Sequence, residues 1–303
     1  FVTHGTIVAS YDCTRRSDAP VLVRARGTAL RDRNGHGTHV AGIIAGRYEE
    51  PGANGPKAVI SGVAPLAKLH VYKVLDDQGH GEDAWIIKAL DHISSVNSAS
   101  TTPRIAGVNL SLGGPFDQDV FGCGHTPLCE ELRRLWGEGV LVVIAAGNEG
   151  FARLSADEGP VGINMSFSIG DPANLHEAIA VGSVHKAKPH LYGVSHFSSR
   201  GPTADGRSKP DCVAPGEKIL SCRSDRREGA VRIDELYMQL SGTSMACPHV
   251  SGILAAFLSR RPEFIGYPDR VKRLLLDSCT PLGRERNLEG AGMPNLMRML
   301  MTS

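Results

Sequence analysis

The 303-residue chain has almost no excess of charge: 33 Lys and Arg stand against 32 Asp and Glu, a formal net charge of +1. Without a basic or acidic field there is nothing to draw in nucleic acid or another strongly charged partner, and none is expected. The short run Arg223 to Arg227, broken by Ser224 and Asp225, reads as a solvated loop. No apolar stretch approaches the roughly 20 residues that span a bilayer, so no membrane partner is expected, and no charged-then-apolar leader opens the sequence. Internal repeats and low-complexity tracts are missing. Seven cysteines are too few and too scattered for a disulfide scaffold, yet more than a cytosolic enzyme usually carries. Cys123 and Cys129 are close enough in sequence to staple a local loop. Metal binding by Cys123, His125 and Cys129 is disfavoured because no second cluster of comparable spacing occurs, and no residue is assigned to a metal. The odd count leaves at least one thiol unpaired, with Cys247 the expected buried one.

What the chain does have is length for a full core and an alternation of strand-length apolar runs with helical patterns. Leu69 to Leu75 precedes Ala84 to Ile93; Ile105 to Leu112 precedes Leu128 to Trp136; Val140 to Ala146 and Ala178 to Val184 come after them. This alternation predicts an α/β fold, doubly wound, with a mainly parallel sheet and helices on both faces. Ile86, Leu90 and Ile93 recur at helical spacing and mark a buried face. Near the C-terminus, Pro268 to Leu276 reads as a helix with proline at its start and acid in its first turn. Loops are marked by the Gly- and Pro-bearing stretch Glu49 to Lys57 and by Asn97 to Pro103.

Two distant motifs carry reactive side chains among small residues: Asn34-Gly35-His36-Gly37-Thr38-His39-Val40-Ala41-Gly42 and Ser241-Gly242-Thr243-Ser244-Met245-Ala246-Cys247-Pro248. A serine hydroxyl becomes a useful nucleophile when an imidazole takes its proton as it attacks. The apolar run Ile253 to Leu258 predicts a buried helix with Ser244 at its N-terminal end, where backbone N–H groups and the helix dipole favour a developing oxyanion. His36 likewise opens an apolar helix, and two reactive groups at two helix starts point to one shared crevice. Asn148 comes after the apolar run Val140 to Ile144 and should emerge at a strand's C-terminal end, where ligands bind open α/β sheets. Its amide is a neutral donor suited to an oxyanion, although Gly-Asn is also ordinary turn chemistry. His39 and His249, within the same motifs, are expected to pack or bridge.

In this arrangement the chain resembles the subtilisin-like serine proteases. The likeness runs from about Asn34 to Asn295 and includes Phe197-Ser198-Ser199-Arg200-Gly201-Pro202 and Lys209-Pro210-Asp211-Cys212-Val213-Ala214-Pro215-Gly216. It implies one peptidase domain over 1–303, with His36 as general base, Ser244 as nucleophile and Asn148 as the oxyanion-hole side chain. It also implies a serine endopeptidase of broad specificity acting on polypeptides, monomeric, needing no cofactor, and favours a secreted or cell-envelope location. The family's acid sits in an Asp-Thr/Ser-Gly motif upstream of the histidine, and no such motif occurs here. Gly5 to Asp12 resembles the segment just C-terminal to that motif, so the expectation is a sequence cut short before its catalytic acid, its open sheet edge prone to associate. Asp12 is the rival acid, since it also ends an apolar stretch. Against it stand Cys13 and Thr14 in place of a Gly-bearing turn, and an interval to His36 that is short for the family. The alternative function is a non-catalytic peptide-binding relative without the acid; a Glu–Asp–Ser acid protease is disfavoured by the intact His-Gly-Thr-His block.

The resemblance also implies two edges for an extended substrate, Gly79-His80-Gly81 and Ser111-Leu112-Gly113-Gly114, since backbone pairing holds a peptide without reading its sequence. As bare glycine clusters they could equally be turns. The primary pocket would lie between Leu112 to Gly114, Ala145 to Gly147 and a floor near Gly170. No acid falls on these positions, so a roomy apolar pocket is expected. Glu82 and Asp83 either favour a basic residue upstream of the cut or bias the first turn of the next helix. Structural calcium is common in the family, but the loop Gly52 to Gly62 has Pro56 and Lys57 where oxygen ligands are wanted, which leaves it without support.

Overall fold

The apolar runs fold into parallel strands wherever both of their faces are covered. The computed structural model describes residues 6–23, 30–50, 58–114, 116–117, 119–156, 159–225 and 232–302. These fall into two compact units, residues 1–105 with 220–239, and residues 106–219 with 240–303.

In the first unit, strand β1 (Ile7–Asp12) pairs antiparallel with β2 (Val21–Leu22) and parallel with β5 (Leu69–Lys73). Tyr11 and Tyr72 face each other in this register and stack at 4.8 Å, and His92 joins them from helix α2 (Asp83–Ser98), its Nδ1 2.9 Å from the Tyr72 hydroxyl. The periodic residues Ile86, Leu90 and Ile93 are buried. Helix α1 (His36–Ala45) leads into the hairpin β3 (Arg47–Glu50) and β4 (Ala58–Ser61). The acidic pair Glu82 and Asp83 supplies the N-cap position and the first turn of α2.

In the second unit, four parallel strands lie in the order β11 (Cys212–Pro215), β10 (Ile179–Val184), β7 (Leu141–Ala145), β6 (Gly107–Leu110). Every residue of β7 and β10 is buried, which requires cover on both faces. Helix α3 (Pro127–Gly137) packs on β7, and the long helix α4 (Thr243–Arg260) packs across all four strands. Thr126 caps α3 by accepting the Cys129 N–H, with Pro127 at the first helical position. Helix α5 (Pro268–Asp277) starts as expected, and its Asp269 accepts the indole N–H of Trp136 at 3.0 Å. Among the described residues β5 pairs only with β1, and β6 only with β7.

The start of β11 is held by an ionic cluster. Lys209, fully buried, donates to Asp211 Oδ2 at 2.6 Å and to the Ala178 carbonyl, while Lys272 meets Asp211 Oδ1 at 3.0 Å. Asp211 also accepts the Ala180 N–H, which ties β11 to β10. Burial depresses the Lys209 ammonium to about 8 despite the attraction of Asp211.

Directly after β7 comes an antiparallel hairpin, β8 (Phe151–Ala156) and β9 (Gly159–Asn164), that the apolar-run reading left out. Cys123 and Cys129 are free thiols, as are the other five cysteines, so no local staple joins them. Cys129 is buried and donates instead to Asp171 Oδ2 at 3.3 Å; burial pushes its thiol up to about 12. No helix among the described residues is long and apolar enough to cross a membrane.

Candidate active site

His36 is the first residue of α1, and the chain turns into that helix through Gly35, whose φ of 92° lies in the left-handed region where a side chain would be strained. The turn is organised by Asp32. Its Oδ1 accepts the Gly35 N–H at 2.7 Å, and its Oδ2 accepts both the Thr38 N–H at 2.8 Å and the Thr38 hydroxyl at 2.7 Å. Two N–H groups at the helix start thereby find an acceptor, and a negative charge sits at the positive end of the helix. Burial opposes ionisation of Asp32, but these hydrogen bonds outweigh it and hold its carboxyl below the usual range. Burial also holds the His36 imidazole below its ordinary value, with the Asp32 charge pulling weakly the other way. His36 is therefore neutral at pH 7, the form a base requires.

Asp12, the rival acid, is turned to local use. Its Oδ1 accepts the Thr14 N–H and hydroxyl at 3.1 and 2.7 Å, and its Oδ2 pairs with Arg15 at 2.9 Å. Burial works against its charge, yet these contacts keep its carboxyl below the ordinary range. The carboxylate whose charge reaches His36 is Asp32 rather than Asp12. His39, fully buried, places Nε2 3.2 Å from the Met238 carbonyl, and His249 places Nδ1 2.8 Å from the Met245 carbonyl; both bridge within their surroundings. The segment Gly79-His80-Gly81 is a turn closed by Asp76, whose Oδ1 accepts the Gln78 and His80 N–H groups. A side chain on Gly79 would meet Asn34 Nδ2 at 3.0 Å, which places this turn beside the start of α1.

In the second unit Ser244 is the second residue of α4. The amide of a second helical residue has no carbonyl to meet within its own helix. Asn148 stands three residues beyond β7 with its Oδ1 accepting the Thr243 N–H at 2.9 Å and the Thr243 hydroxyl at 3.2 Å. The Thr243 N–H, which can only donate, fixes which end of the amide is oxygen. Nδ2 is left outward, a donor with no partner among the described residues. The loop is held from its other side by Ser199, which accepts the Glu149 N–H at 3.0 Å, donates to Glu149 Oε2 at 2.8 Å and gives its own N–H to the Gly147 carbonyl. Gly147 has φ of 106°, and a Cβ there would stand 2.7 Å from Ser199 Oγ. Only glycine lets the loop close this tightly.

The segment Ser111 to Gly114, expected from the sequence as a substrate edge, lies in the same unit. The Gly114 N–H donates to the Asp171 carbonyl at 3.1 Å, and a Cβ on Gly113 would meet that oxygen at 3.2 Å, so Leu112 to Gly114 run beside Gly170 and Asp171. Ala145 is buried at the end of β7 and Ala146 donates to the Val181 carbonyl. The buried Asp171 carboxylate is turned inward, where it accepts the Gly124 N–H at 3.2 Å and the Asn174 amide at 2.9 Å. Ser111 and Ser244 exchange hydrogen bonds: Ser111 Oγ donates to the Ser244 carbonyl at 2.9 Å, and Ser244 Oγ donates to the Ser111 carbonyl at 3.1 Å.

A sequence profile described as the subtilase family matches residues 3–293. The chain belongs to the subtilase family. It is 35% identical over 276 residues to serine protease AprX of Bacillus subtilis (strain 168), covering 87% of this chain and 57% of that one. It is 38% identical over 236 residues to the major intracellular serine protease of the same organism, covering 78% of this chain and 58% of that one. The chain thus spans less than two thirds of these relatives' length. Among solved structures, sphericase superposes with a TM-score of 0.70 at 26% identity, covering 96% of this chain and 84% of that one. This subtilase has the α/β, doubly wound, mainly parallel architecture of the subtilisin-like fold.

Three residues of this subtilase escaped the sequence reading: Asp32, Thr243 and Asn109. Asp32 stands six positions before Thr38, a spacing outside the usual helix-capping patterns, and Thr243 looked like one more small residue of its motif. Asn109, whose amide donates to Ser111 Oγ at 3.0 Å, is a lone amide in an apolar strand, which was itself the available signal. Of the loop Gly52 to Gly62 considered for calcium, residues 52–57 lie outside the described residues. Among the described residues no group of three or more His, Cys, Asp or Glu is placed to hold a metal ion.

Proposed function

We propose that this chain is a serine endopeptidase that hydrolyses peptide bonds of proteins through an acyl-enzyme on Ser244. The observation that carries the reading is the locked Asn148 amide. A donor held by Thr243, the first residue of the helix whose second residue is Ser244, is arranged before any charge exists, which is what stabilises an oxyanion at least reorganisation cost. In the proposed reaction His36, kept neutral by burial, takes the Ser244 proton as Oγ attacks the scissile carbonyl. The Asn148 Nδ2 and the Ser244 N–H hold the oxyanion. His36 then returns the proton to the leaving amine, and a water repeats the sequence to release the acid product. No step calls for a metal or cofactor.

The substrate is an extended polypeptide, held by backbone pairing along Ser111 to Gly114. Its side chain before the cut enters a pocket walled by Leu112 to Gly114, Ala145 to Gly147 and Gly170. The inward-turned Asp171 supports an apolar preference there, since its carboxylate is already spent on Gly124, Asn174 and Cys129. The test is hydrolysis of a fluorogenic peptide library by the chain and by Ser244→Ala. Turnover that requires Ser244, fastest with large apolar residues before the cut, is expected. Peptide binding with no turnover would overturn the reading in favour of a non-catalytic peptide-binding relative.

A further inference from the structure

Helix α4 carries a proline four residues after Ser244. Pro248 has no N–H, so the Ser244 carbonyl loses the helical hydrogen bond it would otherwise accept. The Ser111 hydroxyl takes that vacant acceptor at 2.9 Å. Ser111 Oγ is itself oriented, because it accepts the Asn109 side-chain amide at 3.0 Å and therefore points its own proton at the helix. Asn109 is fixed in turn: its Oδ1 accepts Ser251 Oγ at 2.8 Å and Cys247 Sγ at 3.2 Å. Burial pushes the Cys247 thiol well above its ordinary value, so it stays a neutral S–H donor.

We propose that Asn109 and Ser111 are positioning residues for Ser244, forming a directed relay from Asn109 Nδ2 through Ser111 Oγ to the carbonyl that Pro248 leaves unpaired. The inference rests on the assignment of Ser244 as nucleophile and adds to it residues that never touch substrate chemistry with their side chains. Strand β6 and helix α4 meet through this relay, so it sets the height of the first turn of α4 against the strand end. That first turn carries Ser244 Oγ and the Ser244 N–H, and the strand end carries the Ser111 carbonyl on which Oγ rests. Ser111 Oγ uses both of its capacities here, accepting from Asn109 and donating to the Ser244 carbonyl. Ser111 cannot donate elsewhere without orphaning the Ser244 carbonyl, and Asn109 cannot flip without facing Cys247 and Ser251 with its own N–H groups.

The test uses the full chain at pH 8 and reads the rate at which a small fluorophosphonate, which makes no use of the peptide groove, modifies Ser244. Asn109→Asp keeps the acceptors for Cys247 and Ser251 but cannot donate when ionised; Ser111→Ala removes the relay; Ser111→Thr keeps a hydroxyl. Asn109→Asp and Ser111→Ala should each slow labelling about tenfold, and the double variant no further, because both break one chain. Ser111→Thr should restore most of the rate, and peptide kinetics should show the loss in kcat rather than KM. Asn97→Ala is the control for mere destabilisation, since Asn97 bridges both backbone groups of Ile105 away from this relay. Labelling of folded Asn109→Asp and Ser111→Ala at the wild-type rate, or losses that multiply in the double variant, would overturn the relay alone. A wild-type chain labelled at another residue would overturn the Ser244 assignment and the relay with it.

Discussion

Asn148 offers the sharpest perturbation, because its two ends do different work. Oδ1 stabilises the start of α4 through Thr243, and Nδ2 is the free donor. Asn148→Ala removes both, so it should cost stability as well as rate: the buried Thr243 N–H loses its acceptor, worth about 1–3 kcal/mol. Asn148→Asp separates the two effects. A carboxylate oxygen still accepts from Thr243, now with charge assistance at a helix N-terminus, so unfolding should be unaffected or slightly harder. The donor, however, is gone. Loss of one oxyanion donor in a subtilisin costs about 10²–10³ in kcat, roughly 2.7–4 kcal/mol, and a negative charge facing the oxyanion should make the loss at least that large. The assay is kcat and KM on a fluorogenic peptide, beside denaturant melts of both variants. A drop confined to kcat in both, with stability lost only in Asn148→Ala, is expected. Near-normal kcat in Asn148→Asp, or a loss carried by KM, would mean that Asn148 binds substrate or merely shapes the loop.

The charged groups give further expected outcomes. Because burial lowers the His36 value, activity should persist to lower pH than an unperturbed histidine would allow; Asp32→Asn, which removes the opposing charge, should move that acid limb lower still, and an upward move in the kcat/KM profile would contradict the assignment. The same shift has a stability sign: below the unfolded value the unfolded chain binds a proton that folded His36 refuses, so this contribution to stability is lost as pH falls from about 6.5 toward the lowered folded value, as pH-dependent melts would show. Asp12→Asn should leave kcat/KM within about twofold while costing about 1 kcal/mol in urea melts, since its carboxylate serves Thr14 and Arg15; a collapse of activity would restore Asp12 as the triad acid. Asp211→Ala should destabilise by about 3–5 kcal/mol in the same melts by stranding Lys209 and Lys272, and a smaller loss would mean that water reaches the cluster.

The parts of this fold that were legible in the sequence are those set by local pattern. The runs that became β7 and β10 are apolar at nearly every position because both faces are covered, and Ile86, Leu90 and Ile93 announced the buried stripe of α2. The positions of His36 and Ser244 in the first turns of two helices, and of Asn148 just past a strand, were readable because small residues flank helix starts and a strand end. The hairpin β8–β9 was missed although Leu154 and Ala152 alternate opposite Val161 and Ile163 with Asp157-Glu158-Gly159 between them; strands this exposed carry no strong apolar run. The Thr14 and Arg15 partners of Asp12 were beyond reach, since only the turn geometry decides where a carboxylate is spent. The relay through Asn109 and Ser111 needed two segments that are far apart in sequence, and the missing Pro248 N–H makes sense only once Ser111 is seen to replace it.

The central claim is that Ser244 is the nucleophile of a hydrolase. Treating the chain with a fluorophosphonate and mapping the adduct by peptide mass spectrometry tests it directly. The account predicts a single adduct on Ser244, absent from Ser244→Ala and formed more slowly in His36→Ala. An adduct on any other residue, with Ser244 unmodified, would contradict it.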